Sequence, residues 1–95
     1  MKRSFANQAR HNRKILDLAQ RYVSLGYKVL ADARGWEIPL PINGFRPDLF
    51  LIKENRGLII EIETFDSFPV DYPQLEAFRR FAEMTRNVSF RSILI

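Results

Sequence analysis

The sequence has no cysteine and a single histidine, His11. Disulfides, thiolate zinc sites and cysteine nucleophiles are excluded together. One histidine leaves no histidine-cluster metal site and no serine–histidine–aspartate triad beyond coincidence. Long apolar runs are also missing. No stretch approaches the ~20 residues that span a bilayer, so no membrane partner is expected. The basic residues at the start of the chain have no apolar segment behind them and do not read as a signal peptide. A cytoplasmic location is the resulting expectation, in keeping with the lack of cysteine. Glycine is scarce, at four residues, and no phosphate-cradling glycine motif is present. There is no internal repeat, low-complexity stretch or linker, so residues 1–95 are expected to form a single domain.

What is present is an ordinary globular composition, 46% hydrophobic and 27% charged, with eight phenylalanines to build an aromatic core. The net charge of +4 is unevenly spread. Residues 1–46 hold nine Lys/Arg against three Asp/Glu, and residues 47–95 hold six against eight, so the halves carry +6 and −2. A basic half beside an acidic one suits a chain that attracts polyanions and gathers carboxylates in one place. The same charges would also suit a merely solvated helix face.

Ile15, Leu18, Ala19, Tyr22 and Val23 recur at helical spacing, which predicts a first helix over 12–25 with Asn12 as a candidate cap and Gly26 as its stop. Tyr27–Ala31 reads as a short strand. Residues 36–40 are a candidate edge strand, kept to the edge by Pro39 and Pro41, and Asn43-Gly44 marks a turn. Residues 48–53 and 58–64 are the two strongest strands, joined by the short Glu54–Gly57 connection. Their near-continuous apolar character predicts central strands covered by helices on both faces. A second helix is predicted from about Asp71, with Asp71 and Gln74 at capping-box spacing, Pro73 in the first turn and Asn87 at the end. Residues 90–95 form the last strand. The expected class is α/β, with a mixed central sheet flanked by helices.

Alternation along 58–64 puts Ile59, Glu61 and Glu63 on one face and Leu58, Ile60, Ile62 and Thr64 on the other. Asp48 begins the neighbouring strand, and antiparallel pairing brings it close to Glu61 or Glu63. Carboxylates gathered at the end of an apolar sheet raise one another's pKa, and desolvation adds to the effect. A bound hard cation compensates well. A basic partner such as Arg46 or Arg79 would also do so.

Gly44-Phe45-Arg46-Pro47-Asp48, a strand, a turn, and then Ile60-Glu61-Ile62-Glu63-Thr64 resemble the PD-(D/E)xK nuclease superfamily, which includes restriction enzymes, Holliday-junction resolvases and RecB-type exonucleases. Pro47-Asp48 matches the PD element and Glu61 the second acid. The order of elements resembles the restriction-endonuclease-like αβββαβ core over most of the chain. The resemblance implies a metal-dependent DNA endonuclease that hydrolyses phosphodiesters by activated water, with RNA the alternative partner to DNA. It implies Asp48 and Glu61 as ligands of Mg²⁺ or Mn²⁺, the Ile62 carbonyl completing the site, and a homodimer that reaches two strands. Gln74-Leu75-Glu76-Ala77-Phe78 resembles the QxxxY element of RecB-type members, with Phe in place of Tyr, and implies that Gln74 supports the active site. Arg46, beside Asp48, is the expected phosphate contact.

The chain departs from the family at two places. The lysine position is Glu63, which is then a candidate third ligand or proton acceptor. The first helix has no glutamate near 13–17, where Asp17 is the nearest acid. These departures support a competing reading, a catalytically inactive nucleic-acid-binding module or assembly subunit of the same fold.

Overall fold

A computed structural model describes residues 3–67 and 70–95. The elements run α1 (Phe5–Ser24), β1 (Lys28–Ala31), β2 (Leu49–Lys53), β3 (Arg56–Glu63), α2 (Tyr72–Met84) and β4 (Val88–Leu94). The chain is therefore a small α/β domain with one four-stranded mixed sheet in the order β1-β2-β3-β4. β1 and β2 are antiparallel with Val29 opposite Leu51. β2 and β3 are antiparallel with Leu49 opposite Ile60. β4 lies parallel to β3 with Glu61 opposite Ser92, a pairing that requires the crossover supplied by α2. The two strands expected at the centre are the two inner ones.

Alternation in β3 sorts the core into two layers. Ile60 and Ile62 pack with Leu49, Leu51 and the α1 residues Ile15, Leu18 and Ala19. Ile59 points the other way, to Phe78 of α2, with Phe50, Phe81 and Phe90 around it. Phe78 is fully buried; its truncation to alanine should cost about 3–5 kcal/mol. Gly57 lies under the same aromatic layer, where a Cβ would come within 3.1 Å of the Phe50 ring and the ring would have to shift to admit it.

Four local expectations need correction. α1 starts well before Asn12. Its cap is Ser4, whose Oγ accepts from the Asn7 N–H at 3.2 Å; the polar first turns have little apolar periodicity to reveal them. Residues 36–40 are not a strand. A single backbone bond, Ala31 N–H to the Glu37 carbonyl at 2.8 Å, ties them to β1, and two prolines withhold further donors. The chain then reverses at Asn43 and Gly44, both at positive φ, between the bridged residues Ile42 and Phe45. α2 has Asp71 at its cap position, but the Asp71 side chain makes no capping bond and Gln74 turns elsewhere. The helix ends at Met84 rather than Asn87, which instead takes the left-handed conformation and accepts the Gly57 N–H at 2.9 Å.

Candidate functional site

The β2–β3 register, continued one step past Leu49–Ile60, sets Asp48 against Glu61 at one end of the sheet. The two strands clamp each other there. The Asp48 backbone N–H donates to Glu61 Oε1 at 2.9 Å, and the Ile62 N–H donates to Asp48 Oδ2 at 2.8 Å. Asp48 Oδ2 also lies 3.0 Å from Nε2 of His11, reaching down from α1. Glu61 Oε2 accepts from the Gln74 amide of α2. Gln74 therefore supports the acid cluster and is not the capping-box partner of Asp71.

Glu63 lies two residues along the same face. Its Oε1 accepts from Ser67 Oγ at 3.1 Å, and its Oε2 is buried with no hydrogen-bond partner among the described residues. Asp71 approaches from the start of α2. Asp48, Glu61, Glu63 and Asp71 are 6%, 2%, 1% and 4% exposed, so four carboxylates are buried together. Among the described residues their counter-charges are His11 and Arg3. The Arg3 guanidinium donates to the Ile62 carbonyl at 3.0 Å and stands 4.0 Å from Glu63 Oε2.

This excess of buried negative charge sets the titration behaviour. Burial, then the charge of Asp48, pushes Glu61 up to about 10 against the hydrogen bond from the Asp48 N–H. Burial and the charge of Asp71 push Glu63 up to about 7, while Ser67 and Arg3 pull it down. For His11 burial acts downward, but the hydrogen bond and charge of Asp48 outweigh it and the net shift is upward. Without a cation, Glu61 holds its proton at neutral pH, and the Gln74 amide then turns to present its oxygen to the Glu61 O–H.

The site thus brings together Asp48, Glu61, Glu63 and Gln74. It does not include Arg46, which is exposed and donates to the Pro39 carbonyl. Arg79 pairs with Glu76 and Glu83 on the outside of α2, so neither arginine neutralises the cluster. Asp17 is exposed on α1. Four contributors lie outside the sequence expectation. His11 sits one helical turn before Ile15, so the apolar stripe of α1, extended backwards, places it on the buried face. Asp71 carries the spacing of a helix cap, which hides its part in the cluster. Arg3 and Ser67 carry no sequence signal.

Among the described residues no group of three or more His, Cys, Asp or Glu side chains is disposed to hold a metal ion, and no helix is long and apolar enough to cross a membrane. Comparison with protein-family models, curated proteins and solved structures found no match.

Proposed function

We propose that the chain is a metal-dependent phosphodiesterase of the restriction-endonuclease-like type, acting on DNA, with RNA the alternative substrate. The observation that carries this reading is the Asp48–Glu61 clamp. Two buried carboxylates stand opposite each other on adjacent central strands, each locked by the other strand's backbone. The αβββαβ element order and the Gln74 contact from the following helix support it.

The donor set suits a hard divalent cation. Asp48 and Glu61 offer oxygens, and the buried Glu63 Oε2 is a third. Mg²⁺ is commonly held by one or two carboxylates with waters and substrate phosphate completing its shell, so a preformed three-ligand cage is not required. Held by Asp48 and Glu61, Mg²⁺ or Mn²⁺ supplies Lewis acidity to a phosphodiester oxygen and lowers the pKa of a water. The chain's own residues do the rest. His11 and the Ile62 N–H fix the direction of the Asp48 carboxylate. Gln74 orients Glu61. Glu63 is the candidate acceptor of the attacking water's proton. The outer face of α1, where Arg10, Arg13 and Lys14 outnumber Asp17 in one concavity, gathers phosphate, with Arg46 a separate exposed contact. A homodimer would bring two such sites to the two strands of a duplex.

A second reading is a catalytically inactive nucleic-acid-binding module or assembly subunit of the same fold. It is favoured by Glu63 in the place of the lysine and by the hydrogen bonds that already occupy Asp48 Oδ2 and both oxygens of Glu61. Plasmid nicking separates the two. The first reading expects relaxation of supercoiled DNA with Mg²⁺ or Mn²⁺, abolished by chelator and by Asp48→Asn. DNA binding without nicking under any divalent cation would favour the second.

A further inference from the structure

The two edges of the sheet are treated differently. β1 is short, and its outer edge is closed at both ends: the Tyr27 N–H donates to the Tyr22 carbonyl at 3.0 Å and the Ala31 N–H to the Glu37 carbonyl at 2.8 Å. β4 has seven residues, pairs with β3 without a bulge and has no further strand beyond it among the described residues. Its inner bonds fix which groups face out. The Asn87 carbonyl accepts from Gly57 and the Ile95 N–H donates to the Glu63 carbonyl, each at 2.9 Å, and successive residues of a strand turn their backbone groups to opposite edges. The N–H and C=O groups of Val88, Phe90, Ser92 and Leu94 therefore point outward. No proline or lysine guards this edge, and Arg91 is its one charged residue, so the usual devices that blunt an open strand are nearly all missing. Beside it, between α2 and β4, lies a concavity of about 360 Å³ lined by Tyr72, Leu75, Phe90 and Ser92 and rimmed by Glu76 and Arg79. Tyr72 and Leu94 are 63% and 53% exposed.

We propose that β4 is a docking edge for a second copy of this chain, the two β4 strands pairing antiparallel about a two-fold axis at Ser92. The side chains select the axis. Outward groups meet outward groups when the axis passes through Phe90, Arg91 or Ser92. An axis at Arg91 sets that residue against its own copy, a like-charge pair. An axis at Phe90 leaves the exposed Leu94 uncovered. An axis at Ser92 leaves out only Val88, which already packs on the aromatic layer. It sets Leu94 of the second copy against Phe90, over the concavity beside α2, and Arg91 against Ile93. The outward groups of Phe90, Ser92 and Leu94 are then all paired. Because the β1 edge is closed, each copy offers one edge, and the assembly ends at a dimer instead of growing into a filament. The inference rests on the sheet edges and not on the metal-dependent reading. It also sets Glu61, which lies opposite Ser92, three strand spacings from its counterpart, about 14 Å.

The test is analytical ultracentrifugation of the full chain over a range of concentrations, with folding checked by circular dichroism. The wild type should sediment as a dimer. Ser92→Pro removes an outward N–H and leaves the β3–β4 ladder its donors, so it should sediment as a folded monomer. Leu94→Lys changes an exposed side chain, stands in if the proline variant does not fold, and should weaken the dimer by more than about tenfold. The chain has no cysteine, so single cysteines report the register. A short bifunctional maleimide should join Ser92→Cys into a covalent dimer and leave Ser89→Cys, far from its counterpart, as single chains. A wild type that stays monomeric at every concentration overturns the proposal, as does a dimer that survives in folded Ser92→Pro or in Leu94→Lys. Cross-linking through Ser89→Cys and not Ser92→Cys overturns the axis at Ser92, and assemblies larger than a dimer contradict the single open edge. Each of these outcomes leaves the metal-dependent reading standing.

Discussion

Replacing Glu61 by glutamine should make the metal-free protein more stable, not less. Glu61 is pushed from 4.5 up to about 10 in the fold, by burial first and the Asp48 charge second. Between those values the folded chain keeps a proton that the unfolded chain releases, so raising the pH favours unfolding. Each pH unit in that window removes about 1.4 kcal/mol. At pH 7, about 2.5 units above the unfolded value, neutralising Glu61 costs about 3 kcal/mol. Glutamine is neutral in both states and avoids that cost. It still offers an oxygen to the Asp48 N–H, and the Gln74 amide can turn to present its own oxygen to the new amide. For a domain near this size about 1 kcal/mol moves Tm by about 4–8 °C, so Glu61→Gln in chelator at pH 7 should melt higher by on the order of 10 °C. Differential scanning calorimetry from pH 5 to 8 reads both effects: a wild-type Tm that falls as pH rises, more steeply below about 7 where Glu63 also titrates, and a shallower slope in the variant. Added Mg²⁺ should stabilise only the wild type, by about 2.7 kcal/mol at a hundredfold excess over Kd. A variant that melts lower than wild type at pH 7, with an unchanged wild-type slope, would refute the picture of a protonated, uncompensated Glu61.

Asp48→Asn should behave differently from Glu61→Gln: it removes cleavage but also destabilises by about 1–3 kcal/mol, because Asp48 Oδ2 receives both the Ile62 N–H and His11; urea titration distinguishes the two variants. His11→Ala should lower stability by about 1.5–3 kcal/mol through removal of a hydrogen bond to a charged group, read in the same titration. Glu63→Gln should reduce nicking by a factor on the order of 10²–10⁴ if Glu63 takes the proton; should Glu63→Lys instead raise Mg²⁺-dependent nicking, the wild-type site belongs to the inactive reading. Neutralising Arg10, Arg13 and Lys14 together should weaken DNA binding and flatten its dependence on log salt by about 0.9 for each phosphate no longer neutralised; an unchanged slope in filter binding would place the nucleic-acid interface elsewhere.

The sheet was legible where the pattern was strong. The near-continuous apolar run from Leu58 to Ile62, interrupted by Glu61, marks a central strand, and period-two alternation places Glu61 and Glu63 on one face. The short Glu54–Gly57 connection fixed antiparallel pairing, which in turn set Asp48 against Glu61. Periodicity failed where side chains are polar or where a tertiary interaction takes over a local one. The first turns of α1 are held by Ser4 and Asp66, residues 62 apart in the chain. Asp71 and Gln74 have capping-box spacing, yet the Asp71 N–H that such a box would use already donates to the Ser67 carbonyl at 3.0 Å, and Gln74 turns to Glu61 instead. Arg46 lies two residues before Asp48, with Pro47 between them, but its guanidinium is drawn to the Pro39 carbonyl and away from the carboxylate. Arg3 could not be found from sequence, since nothing local ties the lead-in of a helix to the end of a strand.

Anomalous difference density from crystals soaked in Mn²⁺, with Asp48→Asn crystals treated alike, shows directly whether Asp48 and Glu61 hold a cation. The expected result is a peak coordinated at about 2.1 Å by carboxylate oxygens of both Asp48 and Glu61, missing from the variant. Density elsewhere on the molecule with none between these two carboxylates would contradict it.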